Sequence, residues 1–371
     1  MSNAREIAQL GSVPSGRRNL IINGAMNVAQ RGAGPFTNAS GGYQTVDRFQ
    51  LSGTMGGSFT LEQASDAPSG SGFSKSFKAL APTGFSSPTS AASAKIITSL
   101  EGQNLQQILK GSSNALPVTI SFWVKSVVTG TYVFELSDND NNRSISTTYS
   151  VSASNTWEKK VITISGDTSG SLDNDANSSL SMIWWLGAGS NYTSGTLNTS
   201  WNLTVTANRA VGQVNAVASN NDAFYITGVQ LEVGSVATEF EHRSYGEELA
   251  LCQRYYQIVE ASGRESSCIG YRKNPNHIYP TGGHSYILPV EMRASPTFLN
   301  PSMNITFTSL LNDNWMTTNY GNLGAYTSSH TFVANSRRVW YDSTVPGNNP
   351  FPAATPINIS FGEVFKLNAE L

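Results

Sequence analysis

Charged residues are scarce in this chain of 371 residues. Asp, Glu, Lys and Arg together make up 13% of the sequence, about half of the ~25% found in typical soluble proteins. The formal net charge is only −2, so there is no basic excess to attract nucleic acid or an anionic membrane surface. The composition therefore argues against nucleic-acid binding and indicates a surface solvated by hydroxyl and amide groups.

Cysteine and long apolar runs are also lacking. Cys252 and Cys268 are the two cysteines of the sequence. They allow one disulfide at most and cannot form a disulfide framework. No run of about 18 apolar residues occurs, which predicts no membrane insertion, and the N-terminal residues lack the apolar core of a secretory signal. We expect synthesis in a reducing compartment and use elsewhere without disulfides.

Short segments of alternating apolar and polar residues fill most of the chain, at the spacing of a β-sandwich. Almost no segment suits a long amphipathic helix, which excludes a parallel α/β architecture. Residues 19–32 are predicted to form a strand, an Asn-Gly turn and a return strand. Further strands up to residue 207 are predicted at Arg48–Leu51, Ser58–Glu62, Ser74–Leu80, Ala94–Ser99, Val118–Lys125, Tyr132–Ser137, Ser144–Val151, Lys159–Ser165, Ser181–Leu186 and Leu203–Ala207.

The stretch from Phe224 to Gln257 divides the chain. It opens with an alternating strand pattern, in which Tyr225, Thr227, Val229 and Leu231 are predicted to share one face. Ser244 and Glu247 then have the spacing of a helix capping box. A short helix is expected to follow, with an apolar seam of Tyr245, Leu249, Cys252 and Tyr256 that we predict to be an oligomer interface. The alternative is a strand and a surface helix within one large domain.

The pattern therefore predicts an all-β protein of two β-sandwiches, the second one smaller, separated by a helical joint. The N-terminal arm carries Ile7 and Leu10 on a segment too short to fold alone, so it either frays or docks on a partner; we expect docking. The predicted organisation is an arm at 1–17, a sandwich domain at 18–243, a joint at 244–257 and a sandwich at 258–371.

Several phrases of the sequence resemble a known protein group. NLIINGAMNVAQRG, EGQNLQQIL, ISFWVKS, ITGVQLEVGSVATEFEHR and the closing stretch from LPVEMRASPTF to FKLNAEL are similar to bacteriophage tail-fibre and virion-appendage proteins. The resemblance implies a jelly-roll domain like a carbohydrate-binding module at 18–243 and a location on the virion, as a tail fibre or other surface appendage. It further implies a homotrimer that contacts host surface polysaccharide. We expect the N-terminal arm to bind other virion proteins, because it holds apolar groups but cannot fold alone.

Two groups of aromatic residues are candidates for saccharide binding, because aromatic rings stack on the apolar faces of sugars. On the predicted strands, alternation places Trp123 and Lys125 opposite the apolar face of one strand and Trp185 opposite that of another. In the second sandwich, a loop holds Trp315, Tyr320 and Tyr326 among Asn, Thr and Gly. Both groups have a structural alternative, in which the rings fill the core or close the end of a sandwich.

The sequence offers little chemistry for catalysis or metal binding. The run DNDNNR at 138–143 lacks the Gly and Glu of an EF-hand loop, so we predict a hairpin turn there. The four His and two Cys have no metal-ligand spacing, and no nucleophile-elbow pattern occurs. No cofactor is required by these patterns, the metal ligands are unknown, and the resemblance leaves a structural calcium open.

The sequence thus predicts a non-enzymatic fibre or spike protein of the virion that attaches a phage to host glycans. The first alternative is a purely structural virion protein, such as a head-decoration or tail-collar component without glycan binding. The second is a polysaccharide depolymerase, which is disfavoured because no β-helix repeat is visible.

Overall fold

The computed structural model describes residues 17–39, 42–53, 55, 59–260, 265–274, 277–280, 285–298, 305–309, 317–318, 330–334, 338–343, 356–361 and 364–371. The chain divides into two compact units between Cys252 and Gln253. Strands dominate both units, and the protein is all-β, as the sequence predicts. None of the helices among the described residues has the length and apolar character needed to cross a membrane.

The first unit is a sandwich of two six-stranded antiparallel sheets. Sheet A has the order β1-β3-β4-β12-β6-β9, with strands β1 Phe36–Ala39, β3 Phe59–Ala64, β4 Ser76–Ala81, β6 Val118–Ser126, β9 Glu158–Ile164 and β12 Asp222–Val233. Sheet B has the order β11-β8-β7-β10-β5-β2, with strands β2 Gln50–Gly53, β5 Ser93–Glu101, β7 Gly130–Asp138, β8 Arg143–Val151, β10 Ser178–Ala188 and β11 Asn202–Leu203. The chain crosses repeatedly between the sheets, as in a jelly roll.

Short helical segments interrupt this sandwich. The helix α1 spans Ser190–Thr193, and α2 spans Tyr245–Gln253. Single 3-10 turns lie at Gly102–Asn104, Gln106–Ile108 and Thr206–Asn208.

An aromatic core fills the space between the two sheets. Trp184 of β10 lies 5.7 Å from Phe122 of β6 and 5.3 Å from Phe134 of β7, measured between ring centroids. All three side chains are fully buried. Because alternate residues of a strand point to opposite faces, the neighbours of these core residues point to the two outer faces of the sandwich.

Alternation along β12 is broken by a bulge. The register with β6 shifts between Thr227 and Gln230, and Gly228 takes a positive φ of 61° there. Phe224 and Ile226 face the core before the bulge, and Val229 and Leu231 face it afterwards. The sequence prediction that Tyr225, Thr227, Val229 and Leu231 share one face is therefore wrong for the second half of the strand, because one extra residue reverses the alternation.

The predicted hairpin at 19–32 is also wrong. Residues 17–35 are all described and form no strand. Asn23 has a positive φ of 60°, and its buried side chain donates hydrogen bonds of 2.8 Å to the carbonyls of Val28 and Asp47. An irregular buried segment thus replaces the hairpin, because the Asn side chain satisfies carbonyl groups that a strand ladder would otherwise pair.

Helix α2 begins one residue after Ser244, as the capping pattern predicts. The Ser244 Oγ accepts a hydrogen bond of 3.3 Å from the Glu247 amide. Glu248 is buried, and its carboxylate accepts hydrogen bonds from the Asn23 amide and from Arg243, at 2.5 and 3.3 Å. These bonds fix the first turn of the helix within the first unit.

The second unit contains three antiparallel sheets among its described residues, with orders β13-β23-β17, β15-β14-β22-β18-β19 and β16-β21-β20. The strands are β13 Tyr256–Glu260, β14 Glu265–Asn274, β15 His277–Pro280, β16 Ser285–Ile287, β17 Thr297–Phe298, β18 Ile305–Ser309, β19 Thr317–Thr318, β20 His330–Ala334, β21 Arg338–Ser343, β22 Pro356–Phe361 and β23 Val364–Asn368. Tyr256 therefore begins a strand and does not belong to α2, which ends at Gln253.

Candidate functional site

The outer face of sheet A carries Trp123 and Lys125, as the alternation of β6 predicts. Ile120, Phe122 and Val124 of the same strand lie in the core. Trp123 is half-buried, whereas Lys125 has only 9% of its surface exposed. The Lys125 side chain therefore lies along the sheet, in contact with its neighbours.

A row of side chains crosses this face from strand to strand. Lys78 of β4 is paired with Tyr225 of β12, and Tyr225 is paired with Lys125 of β6. The Lys125 Nζ lies 4.2 Å from the centroid of the Tyr225 ring, and the Lys78 Nζ lies 5.7 Å from it. Both distances are within the range of a cation–π interaction, so the two ammonium groups hold the half-exposed ring between them.

Asp66 and Trp157 complete the row. The Asp66 carboxylate pairs with the Lys125 ammonium and accepts a hydrogen bond of 3.0 Å from the Trp157 Nε1. The Trp157 ring lies 6.2 Å from the Tyr225 ring at an interplanar angle of 69°. We call Lys78, Lys125, Tyr225, Asp66 and Trp157 the Tyr225 cluster.

The electrostatics of the cluster keep Asp66 ionised. Partial burial by itself raises the pKa of the Asp66 carboxyl, but the hydrogen bonds from Lys125 and Trp157, with the charges of Lys125 and Lys78, outweigh it and lower the pKa. Burial likewise lowers the pKa of Lys78, but its hydrogen bond of 3.0 Å to Glu62 and its contact with Tyr225 raise it overall. The cluster therefore presents fixed charges of both signs at neutral pH.

Trp123 lies at one side of the cluster, within a second aromatic group. A Cβ atom added to Gly228 would lie 2.6 Å from the Phe73 ring and 3.1 Å from the Trp123 ring, so both rings cover the bulge. Phe73 packs edge-on against Phe240, with 4.9 Å between ring centroids. Trp123, which the sequence predicts to bind saccharide, therefore packs beside the cluster and is only partly exposed.

The cluster has the chemistry of a saccharide surface. Half-exposed aromatic rings can stack on the apolar face of a sugar ring, while ammonium and carboxylate groups hydrogen-bond its hydroxyls. Sequence reasoning identified Lys125 of this cluster and missed Lys78, Tyr225 and Asp66 as site residues. The paired Lys-Tyr-Lys row could have been found only from the register of three strands that are distant in sequence.

Trp185 does not lie on an accessible surface, which corrects the sequence prediction. It points to the outer face of sheet B, but a later part of the chain covers it, and its exposed fraction is 0%. Its Nε1 donates a hydrogen bond of 2.9 Å to Glu135, and Tyr192 of α1 packs on it with 5.2 Å between ring centroids. Trp185 is therefore a buried support and not a stacking platform.

The predicted oligomer seam is divided by the structure. Tyr245 is 60% exposed and Leu249 is half-buried, whereas Cys252 and Tyr256 are buried within the chain. Of the four seam residues, only Tyr245 and Leu249 have side-chain surface that another protomer can contact. The oligomeric state itself stays a prediction.

Some predicted residues cannot be placed. Trp315, Tyr320 and Tyr326 of the tip loop, and Ile7 and Leu10 of the arm, lie outside the described residues. Their predicted roles stay predictions.

The run at 138–143 forms the turn between β7 and β8, as predicted. The Asp138 carboxylate accepts hydrogen bonds of 3.0 Å from the amides of Asp140 and Asn141. Within the part of the chain that the structure describes, no three His, Cys, Asp or Glu side chains are grouped closely enough to hold a metal ion.

Comparison with known proteins gave only structural matches. No family model matches the chain, and no curated protein matches it in sequence. The enzymatically active domain of bacteriophage CBA120 tailspike protein 4 is similar in structure, with 15% identity and a TM-score of 0.33; the match covers 58% of this chain and 21% of that chain. The match thus spans about a fifth of the length of that enzymatically active domain.

Two carbohydrate-binding modules are also similar. TmCBM61, solved in complex with β-1,4-galactotriose, has 10% identity and a TM-score of 0.31, over 58% of this chain and 99% of that chain. The CBM22-1 xylan-binding domain from Paenibacillus barcinonensis Xyn10C has 11% identity and a TM-score of 0.28, over 60% of this chain and 100% of that chain. At such low sequence identities and TM-scores, the matches do not indicate an activity for this chain.

Proposed function

We propose that this protein is a virion appendage that attaches a phage to host surface polysaccharide, and that the Tyr225 cluster is its saccharide-binding surface. The observation that carries the proposal is the half-exposed pair of Tyr225 and Trp157 rings, held between fixed charges on the outer face of a six-stranded sheet. The sequence resemblance to tail-fibre proteins supports the location on the virion.

The cluster is suited to binding because its side chains are already fixed. Asp66 holds both the Lys125 ammonium and the Trp157 indole, so these long side chains lose little rotational freedom when a sugar arrives. A single flat surface of this kind binds weakly. We therefore expect a homotrimer, in which several copies bind one polysaccharide and raise the overall avidity.

Binding of the purified protein to immobilised bacterial polysaccharides tests the proposal. Tyr225→Ala and Trp157→Ala should each weaken binding by about tenfold, because each removes one stacking ring, whereas Tyr225→Phe should retain it. Val161→Ala is the matched control, since Val161 lies on the outer face of the same sheet with 53% of its surface exposed.

Two results would contradict the proposal. One is that none of a broad panel of host polysaccharides binds the wild-type protein. The other is that the alanine variants keep their fold, judged by circular dichroism and thermal unfolding, and bind as tightly as Val161→Ala does.

Attachment without cleavage is the second part of the proposal. Incubation with a polysaccharide that binds should release no reducing ends. Release of reducing ends would favour a depolymerase and would overturn this part.

Residues 1–17 are proposed to bind the other virion proteins. Deleting them should leave a soluble protein that still binds saccharide but no longer incorporates into particles. Normal incorporation of the truncated chain would exclude this role.

A further inference from the structure

A cleft of about 340 Å³ opens on the outer face of sheet B, on the side of the sandwich opposite the Tyr225 cluster. Ile97 of β5 and Ile183 of β10 are paired residues of neighbouring strands and both line it. The other lining residues are two cations, one carboxylate, three hydroxyls and two amides: Lys95, Arg209, Asp138, Ser137, Ser181, Thr204, Asn139 and Asn142. The cleft therefore combines an apolar patch with polar groups, as small-molecule sites do.

The two cations of the cleft differ in their partners. The Arg209 Nε donates a hydrogen bond of 2.8 Å to one oxygen of Glu135, and the other oxygen of Glu135 accepts from Trp185. Lys95 has no carboxylate within ion-pair distance among the described residues. Its Nζ instead lies 5.0 Å from the centroid of the Trp185 ring and 5.9 Å from that of Tyr192.

Lys95 is therefore a partly desolvated ammonium without a counter-ion. Burial lowers its pKa, and the charge of Arg209 lowers it further, against the opposing effect of Glu135. Glu135 pairs with Arg209, and the Asp138 carboxylate that also lines the cleft pairs with Lys110, so the charge of Lys95 is the one left without an ion-pair partner among these groups. A group in this position is stabilised when an anion enters the cleft, because the anion replaces the lost hydration of the ammonium.

A second polar group in the cleft also lacks a partner. The Thr204 Oγ1 is buried and makes no hydrogen bond within the described part of the chain. Its amide donates a hydrogen bond of 2.9 Å to the Asn142 carbonyl, which fixes the residue at the rim. A buried hydroxyl without a partner is uncommon, and a rotation of the Thr204 side chain into the cleft would let a ligand hydroxyl or carboxylate satisfy it.

We propose that this cleft binds the carboxylate-bearing ring of an acidic saccharide, with Lys95 as the partner of the carboxylate. The isoleucine patch fits the apolar face of the ring, and the rim groups fit its hydroxyls. The volume lies at the lower end of the ~300–1,000 Å³ range of small-molecule sites, which suits one or two sugar rings. The site shares no residue with the Tyr225 cluster and is independent of it.

Methyl NMR of isoleucine-labelled full-length protein tests this proposal. The probes are tri-galacturonic acid, N-acetylneuraminic acid and, as the uncharged counterpart, the methyl ester of tri-galacturonic acid. At least one of the two acids should shift the δ1-methyl signals of Ile97 and Ile183, assigned through Ile→Val variants. The core residue Ile120 should not respond, and the ester should bind at least about tenfold more weakly, since it offers no charged acceptor.

Lys95→Met removes the charge and keeps a side chain of similar length over Trp185. It should weaken binding of the acid by about tenfold or more and should not reduce thermal stability, because the unpaired cation is gone. Lys159→Met is the matched control, since Lys159 is exposed on the outer face of sheet A and the change in net charge is the same. Thr204→Val provides a second variant with an intact Lys95 and should also weaken binding.

The proposal is overturned if neither acid shifts the Ile97 and Ile183 signals, or if Lys95→Met and Thr204→Val both bind as the wild type does. It is also overturned if acetate shifts the same signals at the same concentration, because a sugar ring would then contribute nothing. Binding through the Tyr225 cluster is judged with different variants, so either site can fail without the other.

Discussion

The ion-pair network around Lys110 offers the sharpest test of the fold that carries both sites. The Lys110 Nζ pairs with Asp138 and, at 3.1 Å, with Asp167, and it donates hydrogen bonds to the carbonyls of Ser169 and Gly170 at 3.0 and 2.8 Å. The three charged side chains are at most 4% exposed. The network ties the loop after β9 to the β7–β8 turn, which borders the cleft on sheet B.

Lys110→Met leaves the two carboxylates without their shared cation. Breaking a buried ion pair typically costs about 3–5 kcal/mol. Asp167 keeps two contacts with Arg143, at 2.7 and 2.9 Å, and Asp138 keeps its turn hydrogen bonds. We therefore expect a loss of about 3 kcal/mol, at the lower end of that range.

Hydrogen exchange of the full-length chain, followed by mass spectrometry, measures this loss locally. Peptides that cover β7 and β8 should lose protection in Lys110→Met. Lys160→Met is the matched control: Lys160 pairs with Glu158 at 2.7 Å, both side chains are 17% exposed, and such a surface pair contributes at most about 1 kcal/mol. Adding Asp138→Asn to Lys110→Met should restore part of the stability, because it removes one uncompensated charge.

The reasoning is refuted if Lys110→Met is no more destabilising than Lys160→Met. It is also refuted if the double variant is less stable than Lys110→Met alone.

Three further predictions concern stability and assembly. Gly246→Ala should stabilise the first unit by up to about 1 kcal/mol in thermal unfolding, because the glycine lies in α2 with open space around it and alanine favours helix. Gly24→Ala should destabilise it instead, since the new Cβ would lie 2.0 Å from a backbone carbonyl oxygen of β12; equal stability of both variants would contradict this. Leu249→Asp should weaken trimer formation in light scattering more than Gln253→Asp does, and a stable wild-type monomer at micromolar concentration would exclude the trimer. Burial raises the pKa of Asp167, but hydrogen bonds from Arg143, the Ser169 amide and Lys110 lower it overall. The stabilisation that ionised Asp167 contributes is therefore complete above its pKa in the unfolded chain, about 3.9. It is lost as the pH falls through the lowered pKa of Asp167 in the folded protein. The stability difference between wild type and Asp167→Asn should shrink in that acid range and not on the alkaline side.

Local alternation was enough to predict the faces of the tryptophan-bearing segments of β6 and β10, but not those of β12 beyond its bulge. In β6 it separates Phe122 from Trp123, and in β10 it separates Trp184 from Trp185, as the structure confirms. These assignments follow from the two-residue period of a strand. They require no knowledge of which strands are neighbours.

The composition of the sites could not be predicted in this way. The hydrogen bond between Asp66 and Trp157 joins residues 91 positions apart, and that between Glu135 and Arg209 joins residues 74 positions apart. The burial of Trp185 likewise depends on a later segment that folds over sheet B. Exposure and partners at both sites are thus properties of strand order and of covering loops, which a local pattern does not contain.

The bulge at Gly228 makes β12 unusually sensitive to changes of length. Deleting one residue just after the bulge, with Gly228 in place, would shift every later residue of the strand by one position, so that Leu231 would turn away from the core and Glu232 would turn toward it. Gln230 and Glu232 are buried outside the core, where Thr238 and the segment after β12 satisfy them with hydrogen bonds. A single-codon deletion between Gly228 and the end of β12 should therefore abolish folding, whereas one in the exposed turn at 152–156 should be tolerated. Gene variants of this protein are expected to differ in the lengths of such turns and to keep the length of β12.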